Sequence, residues 1–211
     1  MTLDDALASM PIVAILRGLK PEEAVAIGEA IVGAGVRILE VPLNSPEPLV
    51  SIGRLATALA GRALIGAGTV LAPADVDAVK AAGGTVIVSP NMNPAVIQRS
   101  KAAGMVSLPG VFTPTEAFAA LEAGADGLKI FPAEMASPAT VRALRAVLPK
   151  GTRVLVVGGV SPETIPPYLT VGVDGFGVGS DLYKPGRDAD EVGRRAAALV
   201  AAINKAREAM A

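Results

Sequence analysis

Histidine and cysteine are both missing from the 211 residues of this chain. These two absences exclude more chemistry than any single motif adds. Without cysteine there is no disulfide, no thiol nucleophile and no thiolate-bound zinc. Without histidine there is no imidazole-bound zinc and no Ser-His-Asp triad. Proton transfer falls to Asp, Glu, Lys, Tyr or water. A magnesium site built from carboxylates alone stays open. Aromatic residues are only 3% of the chain, so Ala, Val, Leu and Ile must build the core. A strong charge bias is absent too: 19 Lys and Arg face 20 Asp and Glu, for a net charge of −1. With no basic stripe and few rings to stack on bases, nucleic acid is not an expected partner. The opening residues, Met1 to Leu7, are acidic and lack the positive segment of a secretion signal. No apolar run reaches the about 18 residues needed to span a bilayer. A membrane is therefore not expected as a partner, and the cytoplasm is the expected compartment.

What is present is a repeating order of elements. Hydrophobic residues are 51% and charged ones 18%, the balance of a globular chain, and the length suits one domain over 1–211. Short apolar runs at 11–16, 36–41, 63–67, 86–89, 106–108, 127–131, 153–157 and 175–178 read as strands. Helical patterns follow at 21–34, 46–60, 73–82, 94–103, 114–123, 138–147, 162–171 and from about Asp190 onward. A short leading helix over 3–10 is capped by Thr2. Proline stands at or near the start of many of these helices, where its missing N–H costs nothing. Ala-Gly closes several, at Gly35, Gly83, Gly104 and Gly124, because glycine accepts the left-handed residue past a helix end. Strands alternating with helices imply parallel pairing. Eight such units imply an α/β fold, a closed (β/α)8 TIM barrel, with a doubly wound open sheet as the alternative.

Gly127-Leu128-Lys129-Ile130-Phe131-Pro132-Ala133-Glu134 organises the rest. Alternation puts Lys129 and Phe131 on one face of a short strand and Leu128 and Ile130 on the other. An ammonium ion in such a run costs several kcal/mol, roughly, unless paired or neutralised. Desolvation also lowers an amine's pKa and makes it a better nucleophile. Two readings stand at this point: a lysine that attacks a carbonyl, or one whose stem is buried while its head reaches water.

In a barrel, chemistry gathers where strands end and the following loops begin. Those positions hold Arg17, Glu40, Thr69, Asn91, Lys129, Gly158-Gly159 and Gly179-Ser180. Glu40, inside Ile38-Leu39-Glu40-Val41-Pro42, is either a general acid or base near Lys129 or a partner for a buried cation. Arg17 is suited to a two-pronged clamp on a carboxylate, or to a bridge at the rim. Thr69 offers a hydroxyl to a substrate or closes a glycine turn, and Asn91 reads mainly as a turn residue. Ser161 and Pro162 suit the cap and first turn of the helix after strand seven. The glycine pairs let backbone N–H groups approach an anion closely, and loops seven and eight commonly hold phosphate.

Three stretches carry a family resemblance: Gly127 to Glu134, Gly66-Ala67-Gly68-Thr69-Val70-Leu71, and Gly158-Gly159-Val160-Ser161. Together they resemble the KDPG/KHG aldolase family over nearly the whole chain. The resemblance implies a class I, Schiff-base lyase on a (β/α)8 barrel, usually a homotrimer, with no metal and no cofactor. It implies cleavage of a 2-keto-3-deoxy-6-phospho sugar acid to pyruvate and glyceraldehyde 3-phosphate. Ile15-Leu16-Arg17-Gly18, Glu40 to Pro46 and Ser180-Asp181-Leu182-Tyr183 are most similar to the galactonate branch. Asn44 stands where the gluconate branch has arginine, and Val157 where that branch has threonine. By resemblance, Lys129 forms the iminium and Glu40 moves protons, in part through a water. Arg17 and Thr69 hold the pyruvyl carboxylate, and Phe131 walls the pyruvyl group. Gly158, Gly159, Gly179 and Ser180 hold the phosphate. A different phosphate-binding barrel, such as an epimerase, is the alternative on the glycine loops alone.

Overall fold

The chain was analysed as a computed structural model, which describes residues 1–210. Among these residues nine strands form one all-parallel sheet in the order β5-β4-β3-β2-β1-β9-β8-β7-β6. They are β1 (Ile12–Ile15), β2 (Ile38–Pro42), β3 (Leu64–Gly68), β4 (Val86–Val88), β5 (Val106–Leu108), β6 (Gly110–Val111), β7 (Leu128–Ile130), β8 (Val154–Val157) and β9 (Gly175–Val178). The sequence predicts eight strands; the fifth is found at its expected bounds as β5, and the ninth is the two-residue β6 beyond Pro109. Proline has no N–H for the ladder. The part before it pairs with β4 and the part after it with β7. The sheet thus closes on itself at Pro109, whose carbonyl accepts from the Lys129 N–H at 2.9 Å. The fold is a (β/α)8 TIM barrel.

Helices α1 (Leu3–Ser9) to α9 (Ala189–Glu208) surround it. Between them run α2 (Ala24–Gly33), α3 (Pro48–Ala58), α4 (Pro73–Ala81), α5 (Pro94–Ala102), α6 (Pro114–Glu122), α7 (Pro138–Val147) and α8 (Ile165–Leu169). Proline opens α3 through α7, although α3 begins at Pro48 and not at the expected Pro46. Two further starts differ from expectation. Residues 21–23 form a turn before α2. Ser161 and Pro162 likewise lie in a turn, not at a helix cap. There the Ser161 N–H donates to the Thr164 hydroxyl at 2.9 Å and the Ser161 hydroxyl to Glu163 at 2.6 Å. The local bonds of Ser161 are spent on that turn, and α8 begins only at Ile165.

Strand alternation sorts the core into two layers. Outward residues such as Leu39, Val41, Ile65, Leu128, Ile130 and Phe176 pack under the helices. Inward residues Val13, Ile38, Leu64, Val86, Leu108 and Leu155 fill the barrel and join Leu3, Ala6 and Leu7 of α1. Helix α1 therefore plugs the N-terminal end of the strands. Thr2 and Asp5 fix its first turn through a reciprocal capping box. With that end sealed, the open end is the C-terminal mouth.

Replacing Leu7 with alanine is expected to lower stability by about 2–5 kcal/mol, because the buried plug loses a side chain that cannot be refilled. Urea unfolding measures this; a loss below about 0.5 kcal/mol, the range of ordinary surface changes, would show that α1 is not part of the core.

Candidate active site

Lys129 is the middle residue of β7 and faces the barrel interior, 7% exposed. Its neighbours across the ladder are Gly110 and Leu155. Glu40 faces inward from the middle of β2, 3% exposed, between Ile15 and Gly66. Each charged side chain thus has a glycine as one ladder partner, so no side chain stands beside it there. Gly68 admits Glu40 more directly, since a Cβ there would collide with the carboxylate. Both charged residues lie deeper than the strand ends at which the sequence places them.

Burial sets the electrostatics. Desolvation pushes the Glu40 carboxyl up to about 7, against the Lys129 and Arg17 charges and the Gly68 N–H, which favour the anion. Desolvation pushes the Lys129 amine down to about 8, partly opposed by the Glu40 carboxylate and reinforced by Arg17. An amine with a pKa of about 8 is neutral in about one molecule in ten at pH 7, against fewer than about one in a thousand for an ordinary lysine. The Glu40 Oε2 atom is buried without a hydrogen-bond partner. An orphaned carboxylate oxygen beside a partly neutral amine is chemistry waiting for a third group.

Arg17 follows β1 and is exposed at the mouth, where its Nη1 donates to Asn44 Oδ1 at 2.5 Å. This bond ties the loop after β1 to the loop after β2, 27 residues apart. Thr69 follows β3 and takes a left-handed conformation, φ 57°. A β-branched residue there is strained by about 1–3 kcal/mol. Backbone bonds hold the turn, from Leu43 N–H to Gly68 O at 2.8 Å and from Val70 N–H to Val88 O at 3.3 Å. The hydroxyl of Thr69 is not what closes it.

A cavity of about 630 Å³ opens at the mouth. It is lined by Arg17, Phe131, Gly158, Gly159, Gly179 and Ser180, six of the nine residues to which the resemblance gives a role. Lys129, Glu40 and Thr69 are not in its wall. The link to Lys129 is Phe131, whose ring centroid is 4.9 Å from Nζ. Asn91 is exposed and outside the cavity, in keeping with a turn residue. Gly158 (φ 115°) and Gly159 (φ 61°) both take positive φ, which turns successive N–H groups into a nest that suits an anion. Glu134, Tyr183, Lys184 and Pro185 also line the cavity, and sequence reasoning did not single them out. Glu134 lay in view at the end of the lysine stretch. Lys184 is a cation in the loop after the eighth strand, a signal that the glycines there overshadowed.

A parallel (β/α)8 barrel with a buried lysine, a buried glutamate and glycine loops at one mouth is the class of site in which an amine of lowered pKa can meet a carbonyl. The family model for KDPG and KHG aldolase matches residues 3–194, and the chain belongs to that family. It is 50% identical over 194 residues to a probable 2-dehydro-3-deoxy-6-phosphogalactonate aldolase of Rhizobium meliloti, covering 92% of each chain. It is 47% identical over 197 residues to 2-dehydro-3-deoxy-6-phosphogalactonate aldolase of Escherichia coli, covering 93% of this chain and 96% of that one. The solved native KDPGal structure superposes with a TM-score of 0.93 at 46% identity, covering 94% of this chain and 97% of the other.

Replacing Glu40 with glutamine removes the anion that holds the Lys129 pKa up. The pH midpoint for covalent capture of pyruvate by the enzyme is expected near 8 in the unaltered protein and lower in Glu40→Gln. Following capture rate against pH by borohydride quench checks this; a midpoint that stays or rises would mean the two groups are not electrostatically linked.

Proposed function

We propose that the chain is a class I aldolase that cleaves 2-dehydro-3-deoxy-6-phospho-D-galactonate to pyruvate and D-glyceraldehyde 3-phosphate. The observation that carries this reading is Lys129 itself, an amine buried inside the barrel with its pKa pushed down to about 8. Neutral Lys129 attacks the C2 carbonyl, and the carbinolamine loses water to give an iminium. Glu40, acting in part through a water, takes the proton of the C4 hydroxyl. The C3–C4 bond then breaks, its electron pair flows into the iminium to form an enamine, and glyceraldehyde 3-phosphate leaves. Glu40 returns a proton to C3, and hydrolysis frees pyruvate and Lys129. A carboxyl near pKa 7 suits both directions of proton transfer at neutral pH.

Arg17 and Thr69 receive the pyruvyl carboxylate and Phe131 walls the pyruvyl group. The nest at Gly158-Gly159, with Gly179 and Ser180, receives the phosphate. Val157, which is buried, offers no hydroxyl to the substrate's C4 region, and Arg17 with Asn44 replaces the clamp of the gluconate pattern. Both features favour the galacto acid over its gluco epimer. The chain over 1–211 acts as one catalytic domain, needing no metal or cofactor, and the resemblance supports a homotrimer. Among the described residues no helix is long and apolar enough to cross a membrane, and a cytoplasmic enzyme is in keeping with that.

Borohydride added with pyruvate is expected to leave a stable mass increase on Lys129, absent in Lys129→Ala, and the protein should release pyruvate faster from the galacto than from the gluco acid. An unmodified Lys129 in a protein that still turns over would sink the Schiff-base mechanism. Light scattering is expected to give three times the chain mass; a monomer refutes the trimer.

A further inference from the structure

The cavity has two unlike ends. At the Lys129 end, Arg17 is close enough to shift both Glu40 and Lys129. At the other end lie Gly158, Gly159, Gly179 and Ser180, whose help to a phosphate is limited to N–H groups and one hydroxyl. The nearest acidic side chain makes matters worse. Glu134 packs against both Gly158 and Gly159, so that a Cβ at either would run into it. A phosphate arriving there meets a carboxylate, and like charges at close range are destabilising.

Lys184 is the counterweight. Among the described residues in the cavity wall, Lys184 and Arg17 are the two cations. None of the salt bridges among the described residues uses Lys184, while Arg187 and Arg195 nearby both pair with Glu191, at 3.1 and 2.9 Å. The backbone that carries Lys184 is pinned on both sides. Tyr183 before it is 2% exposed, and its hydroxyl donates to Glu23 at 2.7 Å. Pro185 after it sits on Gly18, where an added Cβ would lie 2.6 Å from the proline ring. Arg187 donates to the carbonyls of Ser180 at 2.9 Å and Asp181 at 3.0 Å, and Arg195 to Asp181 at 3.1 Å. The loop also turns back on itself, with the Tyr183 N–H donating to Gly179 O at 2.9 Å. Two arginines, a buried tyrosine and a proline therefore fix the loop, and its third cation is left unpaired at the rim.

We propose that the Lys184 ammonium anchors the phosphate-bearing end of the substrate, offsetting the Glu134 carboxylate at the glycine nest. This deepens the reading of the site given above and rests on the glycine loops being the phosphate end. Lysine acts here as a flexible point charge on a fixed backbone. It can meet the phosphate as it enters and stay with it through the cleavage, because the phosphate is remote from the bond that breaks. The binding is therefore expected in KM rather than in kcat.

The test runs the reaction in the condensing direction, joining pyruvate to D-glyceraldehyde 3-phosphate or to D-glyceraldehyde. In Lys184→Gln, KM for glyceraldehyde 3-phosphate is expected to rise about 10- to 100-fold, the size of a lost charge-assisted contact. Neither kcat, the KM for pyruvate nor the KM for glyceraldehyde should move by more than about twofold, as expected when only one end of the substrate loses a contact. Lys184→Arg should recover most of the loss. An unchanged KM for glyceraldehyde 3-phosphate in Lys184→Gln overturns the proposal, as does an equal loss on both aldehydes. If the unaltered enzyme prefers neither aldehyde, the assignment of the glycine loops to phosphate falls first and takes this proposal with it. Borohydride capture of pyruvate on Lys129 should be untouched in both variants, which separates this outcome from any failure of the Schiff-base reading.

Discussion

An amine and a carboxylate share the inside of this barrel without a salt bridge to neutralise them. Water is largely excluded there, so each group resists its charge, and each also feels the other. The amine is drawn down toward neutrality and the carboxyl is pushed up toward it. Such an arrangement is costly in stability, and the rest of the fold is built to hold it. Helix α1 seals one end, Leu155 and Ile15 crowd the two side chains along the ladder, and Gly68 leaves the Glu40 carboxylate space. A salt bridge would have held Lys129 in its protonated form, whereas burial without one draws the amine toward neutrality.

The mouth is built on a different principle. Around the interior pair the chain is rigid strand; at the mouth it is loop, and the loops must be held by other means. Thr69 keeps a strained left-handed backbone because ladder bonds on either side over-determine it. The loop after β9 is held by arginine-to-carbonyl bonds, from its own Arg187 and from Arg195 of α9. Gly158 and Gly159 hold an open nest that any side chain would fill with a clash against Glu134. Phe131 lines the cavity and also lies 4.9 Å from the Lys129 Nζ, so it joins the open mouth to the buried pair beneath it.

Much of this was legible from the chain alone. The prolines at the starts of α3 to α7 and the alternation of strand with helix announced a parallel barrel, because both follow from local backbone chemistry. The anomaly of Lys129 and Glu40 was visible too, since charge in a short apolar run is costly wherever the run is buried. What misled was local ambiguity. Ser161-Pro162 has the letters of a helix start, yet the side chain of Thr164 and the acid of Glu163 claimed those bonds for a turn. The two-residue β6 beyond Pro109 lies outside the apolar runs that read as strands.

From its residues this protein owes the order of its elements, its barrel class and the identity of its buried amine, since periodicity, caps and misplaced charge are written along the chain. Depth, pairing and partners were decided only in three dimensions. Folding set Lys129 and Glu40 below the cavity wall and bonded Arg17 to Asn44, 27 residues away. It laid Glu134 on Gly158 and Gly159 and put Lys184, in no salt bridge among the described residues, in the wall of the same cavity. Those contacts join residues far apart in sequence, and a charge has no meaning for binding until its surroundings fix whether it is paired, buried or free.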